Sequence, residues 1–208
     1  THTAMVLDDG LIKSLTPERI EKVMAPKVLG AHNLDLLTRS DALDYFILFS
    51  SAAAMFGNPG QASYVAANGY LDGLARQRRA LGLKALAVAW GAITDVGVLT
   101  RDKSTAKSLA RHTGGTAFTA RDGLSLLAQV LADEQQAELA TITLAAMNWG
   151  VAKDFLPIMA SPAYDLIRRD AETRGDHDGT SLGLREKVLA LDEASAKQVV
   201  ADYLAKEI

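Results

Sequence analysis

Three short apolar runs constrain this chain more than anything else in it. Tyr45-Phe46-Ile47-Leu48-Phe49 and Lys84–Trp90 are too short for independent helices and too continuous for strands with one wet face, and Leu139–Ala145 reads as a last strand. Runs of this kind are strands buried on both sides, as in a parallel sheet. Helical spacing lies between them, from about Ala62 to a stop at Gly82 and again over Arg121–Ala132. Ahead of the first run, Thr16-Pro17-Glu18-Arg19 is a helix start, with threonine as the cap and proline in the first helical position. Ile20, Val23, Met24, Val28, Ala31, Leu34 and Leu37 then recur at helical spacing, and Pro26 within them is expected to kink the helix. Strand and helix in alternation imply an α/β fold, a parallel sheet with right-handed crossovers and helices on both faces.

Composition narrows the function classes. The 208 residues carry 22 Lys+Arg against 25 Asp+Glu, a net charge of −3, so no basic surplus points to nucleic acid or an anionic membrane. Without cysteine there is no disulfide framework, thiolate zinc site or cysteine nucleophile, which fits a reducing, cytoplasmic setting. His2, His32, His112 and His177 lack ligand spacing, so no metal is expected. No apolar stretch approaches the length of a membrane span.

The ends of the chain read differently from its middle. Thr3-Ala4-Met5-Val6-Leu7 reads as the end of a strand running into Asp8-Asp9-Gly10, so the chain is expected to be cut from a longer one. The glycine-spotted stretch from Ala92 to Phe118, with Gly97, Gly114 and Gly115, suits a mobile cover carrying one short helix near Ala106–His112. Residues 166–182 are polar and read as a solvated linker. Beyond them Leu184, Val188, Leu191, Val199, Val200 and Leu204 line one side of a charged helical stretch over 183–208. A lone amphipathic helix cannot bury its own face, so this one needs something to dock on.

One constellation could carry chemistry. Ser50 and Ser51 end a buried strand at the carboxyl edge of the sheet, where open α/β sheets place their ligand crevice. Tyr64 follows on the next helix, and Asn68, four residues later, shares its face. Lys27 lies on the preceding helix beside Gly30 and Ala31, small residues that permit close approach to the sheet. The set suits proton delivery to a carbonyl oxygen. Serine binds the oxygen, tyrosine gives the proton, a nearby ammonium lowers the phenol pKa, and asparagine holds a water that reloads it. Singly, each residue has an ordinary explanation as core aromatic, turn serine or solvated lysine. The joint spacing is what favours chemistry.

The run Phe46-Ile47-Leu48-Phe49-Ser50-Ser51-Ala52-Ala53-Ala54, then Gly57-Asn58-Pro59-Gly60-Gln61-Ala62-Ser63-Tyr64-Val65-Ala66-Ala67-Asn68, then Ala89-Trp90-Gly91, closely resembles the ketoreductase domain of type I polyketide synthases. These belong to the short-chain dehydrogenase/reductase superfamily, with a Rossmann-like parallel sheet. Pro26-Lys27-Val28-Leu29-Gly30-Ala31 and Leu7-Asp8-Asp9 match the same family in the same order. Most of that superfamily has lysine four residues after the tyrosine. Here that slot is Asn68 and the lysine is Lys27, the exchange seen in polyketide ketoreductases. The resemblance covers residues 1–165 or so. It implies Ser51 and Tyr64 as the carbonyl-binding and proton-donating pair, Lys27 as the pKa-lowering and ribose-binding group, and Asn68 as the relay, with Ser50 the less favoured serine.

The resemblance further implies NADPH as cofactor, bound in part by Lys27, Tyr64, Ala4 and Met5. Its substrate is a β-ketoacyl thioester presented on the phosphopantetheine arm of an acyl carrier domain, among other synthase domains. Leu7-Asp8-Asp9, with Phe56 where the A-type subclass has tryptophan, implies B-type stereochemistry and a D-configured 3-hydroxyl. Pro59 with Ser63, in place of asparagine, argues against the epimerising subclass. Two departures stand out. Met5 occupies a position where the family has glycine, and no Gly-x-Gly-x-x-Gly follows a strand, so the nucleotide-binding half is expected to lie outside this chain. Residues 183–208 resemble the first helix of an acyl carrier domain. The competing reading is a non-catalytic ketoreductase kept as a scaffold, which Met5 favours and the four polar residues oppose. A dehydrogenase of free metabolites is disfavoured by Asn68.

Overall fold

The computed structural model describes residues 1–101, 117–133, 138–175 and Ser195. Two compact units divide the chain, Thr1–Ala152 and Lys153–Ile208. In the first, helix α1 (Pro17–Leu37) leads into strand β1 (Ile47–Ser51), a single turn α2 (Ala53–Phe56), helix α3 (Ala62–Ala80) and strand β2 (Leu86–Trp90). A short α4 (Val98–Arg101) follows, then α5 (Ala120–Ala132) and β3 (Thr141–Leu144), and α6 (Trp149–Phe155) runs across the boundary between the units. The second unit contains 3-10 turns at Pro157–Ala160 and Pro162–Tyr164 and helix α7 (Asp165–Gly175).

Local chemistry accounts for the helix ends. Thr16 caps α1 by accepting from the Arg19 amide, with Pro17 in the first turn. The helix continues through Pro26 as one element. The Leu83 amide returns to the Arg78 carbonyl, and Gly82 closes the turn after α3 at φ +76°, a left-handed conformation that glycine adopts without strain. Thr119 and Asp122 form a reciprocal capping box at the start of α5.

The strands form a parallel sheet in the order β1-β2-β3, with Leu48 opposite Ala87 and Val88 opposite Ile142. Alternation then sorts the core. Leu48 and Ala87 join Ala31 of α1 and Leu71, Leu74 and Ala75 of α3 on one face. Ile47, Val88, Trp90 and Leu144 join Leu127 and Val130 of α5 on the other. Helices therefore cover both faces, as the apolar runs imply. Every residue of β2 is buried, as a central strand requires. Gly91, just beyond it, has no room for a side chain, since a Cβ there would meet Ala145 at 2.7 Å.

Two expectations need correction. The segment Thr3–Leu7 is not a strand. Only His2 pairs with the sheet, in one parallel bridge to Leu48, and the following residues leave it. Lateral ties draw them away: Arg19 binds Asp8, Gln61 binds Asp9, and the Gly10 amide donates to the Gly60 carbonyl. The polar stretch after Asp165 does not begin as open linker either, because α7 runs to Gly175. Its composition hid alanine, arginine and glutamate, all good helix formers, and an Asp165–Arg168 pair one turn apart. The helix expected near Ala106–His112 and residues 183–208, Ser195 apart, lie outside the described residues. Among those described, no helix is long and apolar enough to cross a membrane and no group of side chains could hold a metal.

Candidate active site

Parallel pairing puts the carboxyl ends of β1 and β2 side by side, with Ser51 opposite Trp90. The chain turns there through α2 and the loop Gly57–Gln61 into α3, whose first turns bring Tyr64 and Asn68 back to the same rim. Gly57 and Gly60 both have left-handed backbone, φ +77° and +78°, which makes the tight return possible. The Tyr64 phenol is largely buried, with the polar side chains of Ser51 and Asn68 near enough to act on its ionisation. Ser51 Oγ also accepts from the Ala53 amide at 3.2 Å, which fixes its rotamer. Ser50 points the other way, its hydroxyl donating to the Asn68 carbonyl at 3.4 Å.

Lys27 arrives from α1. It is buried, its Nζ donates to the Phe49 carbonyl at 2.7 Å, and it lies 5.8 Å from the centre of the Tyr64 ring. Close helix–sheet approach makes this reach possible. A Cβ on Gly30 would stand 3.2 Å from the His2 ring, and that ring's Nε2 donates to the Pro26 carbonyl at 3.0 Å. Burial pushes the Lys27 ammonium down to about 8, against the charge of Asp72, which holds it up. Asn68 is wholly buried. Its Nδ2 donates to the Tyr64 carbonyl one turn back at 2.7 Å, and its Oδ1 has no hydrogen-bond partner.

The Tyr64 phenol itself runs against expectation. Burial raises its pKa above the ordinary value, Ser51 and Asn68 pull it back, and the negative charge of Asp9 raises it further. Lys27 does not bring it down here, because removing the phenol from water outweighs an ammonium nearly 6 Å from its ring.

The Leu7-Asp8-Asp9 triplet reaches the site through Asp9. The Gln61 Nε2 donates to Asp9 Oδ2 at 2.8 Å, while Gln61 Oε1 accepts from Asn58 at 2.7 Å. Asp8 is turned outward to α1, where Arg19 Nε donates to it at 2.9 Å and Lys22 at 3.3 Å. The hydrogen bonds from Arg19, then Lys22, hold its carboxyl below the usual range. Phe56 packs edge-on against Trp149, ring centres 5.7 Å apart. Leu7 is half-buried, while Ala4, Met5 and Pro59 are exposed. The structure thus joins Lys27, Ser51, Tyr64, Asn68 and Asp9 around one phenol and leaves Asp8 and Phe56 in neighbouring contacts.

Sequence reasoning missed Gln61 and Asp72. Gln61 gave no signal, since its role depends on a partner 52 residues away. Asp72 did give one, because it continues the spacing of Tyr64 and Asn68 by one more turn.

Comparison with known proteins agrees with this architecture. Residues 1–95 match the family model described as the KR domain. Polyketide synthase GfsA of Streptomyces halstedii is 35% identical over the whole chain, which spans only 3% of that synthase. The spectinabilin polyketide synthase system protein NorB of Streptomyces orinoci is 36% identical, again over the whole chain and 9% of its own length. A solved A1-type ketoreductase is 34% identical with a TM-score of 0.74, over 82% of this chain and 36% of that one. The chain therefore spans about a third of the ketoreductase structure and a small part of each synthase. By sequence the chain is similar to parts of polyketide synthases, and its Rossmann-like α/β fold matches that of solved ketoreductases.

Proposed function

We propose that these residues serve the NADPH-dependent reduction of a β-ketoacyl thioester, carried on an acyl carrier domain, to a 3-hydroxyacyl thioester. The observation that carries this reading is the Tyr64 phenol beside Ser51 and Asn68, with the Lys27 ammonium 5.8 Å from its ring centre, at the carboxyl rim of a parallel sheet.

The donor set fits a nicotinamide dinucleotide. Lys27 spends one of its three N–H donors on the Phe49 carbonyl, leaving two to hold ribose hydroxyls beside Tyr64. Ala4 and Met5, exposed on the segment that leaves the sheet after His2, are assigned to the same cofactor. When bound, the reduced cofactor supplies the hydride. The chain's own residues handle the oxygen and its proton. Ser51 donates a hydrogen bond to the ketone oxygen, and Tyr64 transfers its proton there as negative charge develops. A pKa above the ordinary phenol value keeps Tyr64 protonated at neutral pH, the state a proton donor must start from. Lys27 orients the sugar and stabilises the phenolate left behind, and the free Oδ1 of Asn68 accepts from a water that returns the proton.

Stereochemistry of the B type, giving the D-configured alcohol, is assigned to the triplet. Asp9 is latched by Gln61 within electrostatic reach of Tyr64, and Asp8 anchors the segment to α1, so substrate meets a fixed edge. Residues 1–165 then belong to the ketoreductase, 166–182 to the linker, and 183–208 to the start of an acyl carrier domain, all in a cytoplasmic synthase.

The test uses the intact ketoreductase and a small ketone such as a decalone, following NADPH oxidation. Tyr64→Phe is expected to lower turnover by about 10²–10⁴-fold with the thermal unfolding midpoint unchanged. Normal turnover in that variant removes Tyr64 as the acid. A wild-type domain that binds cofactor and reduces nothing supports the scaffold reading instead.

A further inference from the structure

His2 is buried beside β1 and does more than pair with it. Its backbone brackets Leu48: the His2 amide donates to the Ile47 carbonyl at 2.8 Å, and the Phe49 amide donates to the His2 carbonyl at 2.9 Å. Any residue with a backbone amide could make both bonds. The ring adds a bond to α1, where Nε2 donates to the Pro26 carbonyl at 3.0 Å. That oxygen lies in the peptide plane from which the Lys27 backbone starts. At the far end of the lysine, Nζ donates to the Phe49 carbonyl at 2.7 Å. His2 therefore ties down both the peptide where Lys27 leaves the helix and the strand residue on which its ammonium lands. The hydrogen bonds close a ring through His2, Pro26, Lys27 and Phe49.

Two features of α1 suit this tie. Pro26 has no amide hydrogen, so the helix loses the bond that this turn would make to the Lys22 carbonyl. The tie falls on the turn of α1 least able to hold itself. Gly30, one turn on, leaves the space that the imidazole occupies, since a Cβ there would stand 3.2 Å from Cε1 of the ring. The geometry points to His2 as a positioning residue for Lys27: its imidazole holds the root of the lysine against the strand that receives the ammonium, and so fixes Nζ beside Tyr64. A long, freely rotating side chain would otherwise spread its charge over many positions. This inference rests on the role proposed above for Lys27, and adds what sets its place.

The experiment follows Lys27 by NMR in the intact ketoreductase labelled with ¹³C at lysine Cε, with neither cofactor nor substrate present. The Lys27 resonance is identified by its loss in Lys27→Met. Held in one place beside the Tyr64 ring, its two Hε protons are expected at separate shifts, and His2→Leu is expected to merge them. His2→Gln, whose side-chain amide can take the place of Nε2, keeps them apart. NADPH binding, read by fluorescence, is expected to weaken roughly tenfold in His2→Leu and to recover to within about threefold of wild type in His2→Gln. In the Lys27→Met background, His2→Leu changes NADPH affinity no further, a result that a merely structural role would not produce. His2→Asn, polar but with its amide short of Pro26, replaces His2→Leu if that variant fails to fold. Merged Hε shifts in the wild type, or separate shifts that persist in both His2→Leu and His2→Asn, overturn the proposal whatever the activity. Losses in His2→Gln as large as those in His2→Leu also overturn it. Unchanged NADPH affinity in Lys27→Met would instead overturn the cofactor role of Lys27, and the Hε shifts still report on His2.

Discussion

Asp35 and Lys27 lie eight residues apart on α1, both buried and both turned to α3, yet the charge each brings is met in opposite ways. Asp35 is saturated. Arg78 of α3 donates to its Oδ1 at 2.7 Å, and Arg39 donates to its Oδ2 through Nη2 at 2.7 Å and Nε at 3.1 Å. Arg78, itself 2% exposed, spends its Nε on the Lys84 carbonyl and lies over Phe46, its Cζ 3.9 Å from the ring centre. Burial would raise the Asp35 carboxyl, but the hydrogen bonds from Arg39 and Arg78 outweigh it and hold it below the usual range. About 12 Å along the same helix, Lys27 donates to one backbone carbonyl, and Asn68 keeps an acceptor unpaired. One cluster is closed and fixes its charges. The other is open, and its lysine and tyrosine are both displaced from their ordinary pKa values, as expected where groups must exchange protons. Burial of charge on this helix pair is therefore not one property: at one end the buried charges answer one another, and at the rim they are left partly unanswered at a cost in stability.

The largest effect that separates the two comes from Arg78→Met. It leaves the Asp35 carboxylate buried with Arg39 alone and removes the stack on Phe46, so a loss of about 3–5 kcal/mol is expected in urea unfolding at neutral pH. A loss below about 1 kcal/mol would mean that the two clusters do not differ in kind.

A smaller, oppositely signed effect belongs to Lys27. Its folded pKa, about 8, lies below the unfolded value of 10.5, so above pH 8 the unfolded chain holds more protons than the folded one. Stability must then rise with pH. The penalty is fully present below pH 8 and is relieved toward 10.5. Between pH 8 and 9.5 the gain is about 2 kcal/mol; above that, Tyr64, whose pKa is raised, begins to act the other way. Urea unfolding across this window should show the rise in the wild-type domain and not in Lys27→Met. A flat profile in both would place Lys27 in the closed class with Arg78.

The two clusters also differ in how far the sequence discloses them. Lys27, Ser51, Tyr64 and Asn68 are legible because strand end, helix face and motif order all converge on one rim. Asp72 follows from the same helical arithmetic. Asp35 and Arg78 carry no such signal. Each is one charge among 47 in the chain, and only the packing of α1 on α3 reveals that both are buried. The same limit explains the first residues. Val6 and Leu7 look like strand, but Asp8, Asp9 and Gly10 are committed to Arg19, Gln61 and Gly60, partners whose positions depend on the turn that begins α3. Local pattern specifies which elements form, and it does not specify which side chains tie them laterally.

The smallest effect sharpens the comparison within the closed cluster itself. Arg39 and Arg78 bind the same carboxylate at similar distances, but the Arg39 side chain is 44% exposed where that of Arg78 is 2% exposed. Distance alone would rank them equal. Exposure does not, because water competes for the Arg39 guanidinium, screens its attraction, and hydrates Asp35 Oδ2 once the arginine is gone. Arg39→Ala is therefore expected to cost no more than about 1 kcal/mol, and less at high salt. Arg78→Met should keep its full cost at the same ionic strength, since the buried pair is little screened. Parallel urea titrations at low and high sodium chloride check this. Equal costs for the two arginines would mean that Asp35 is held as a single bidentate unit, and that burial of one partner does not decide which bond carries the stability.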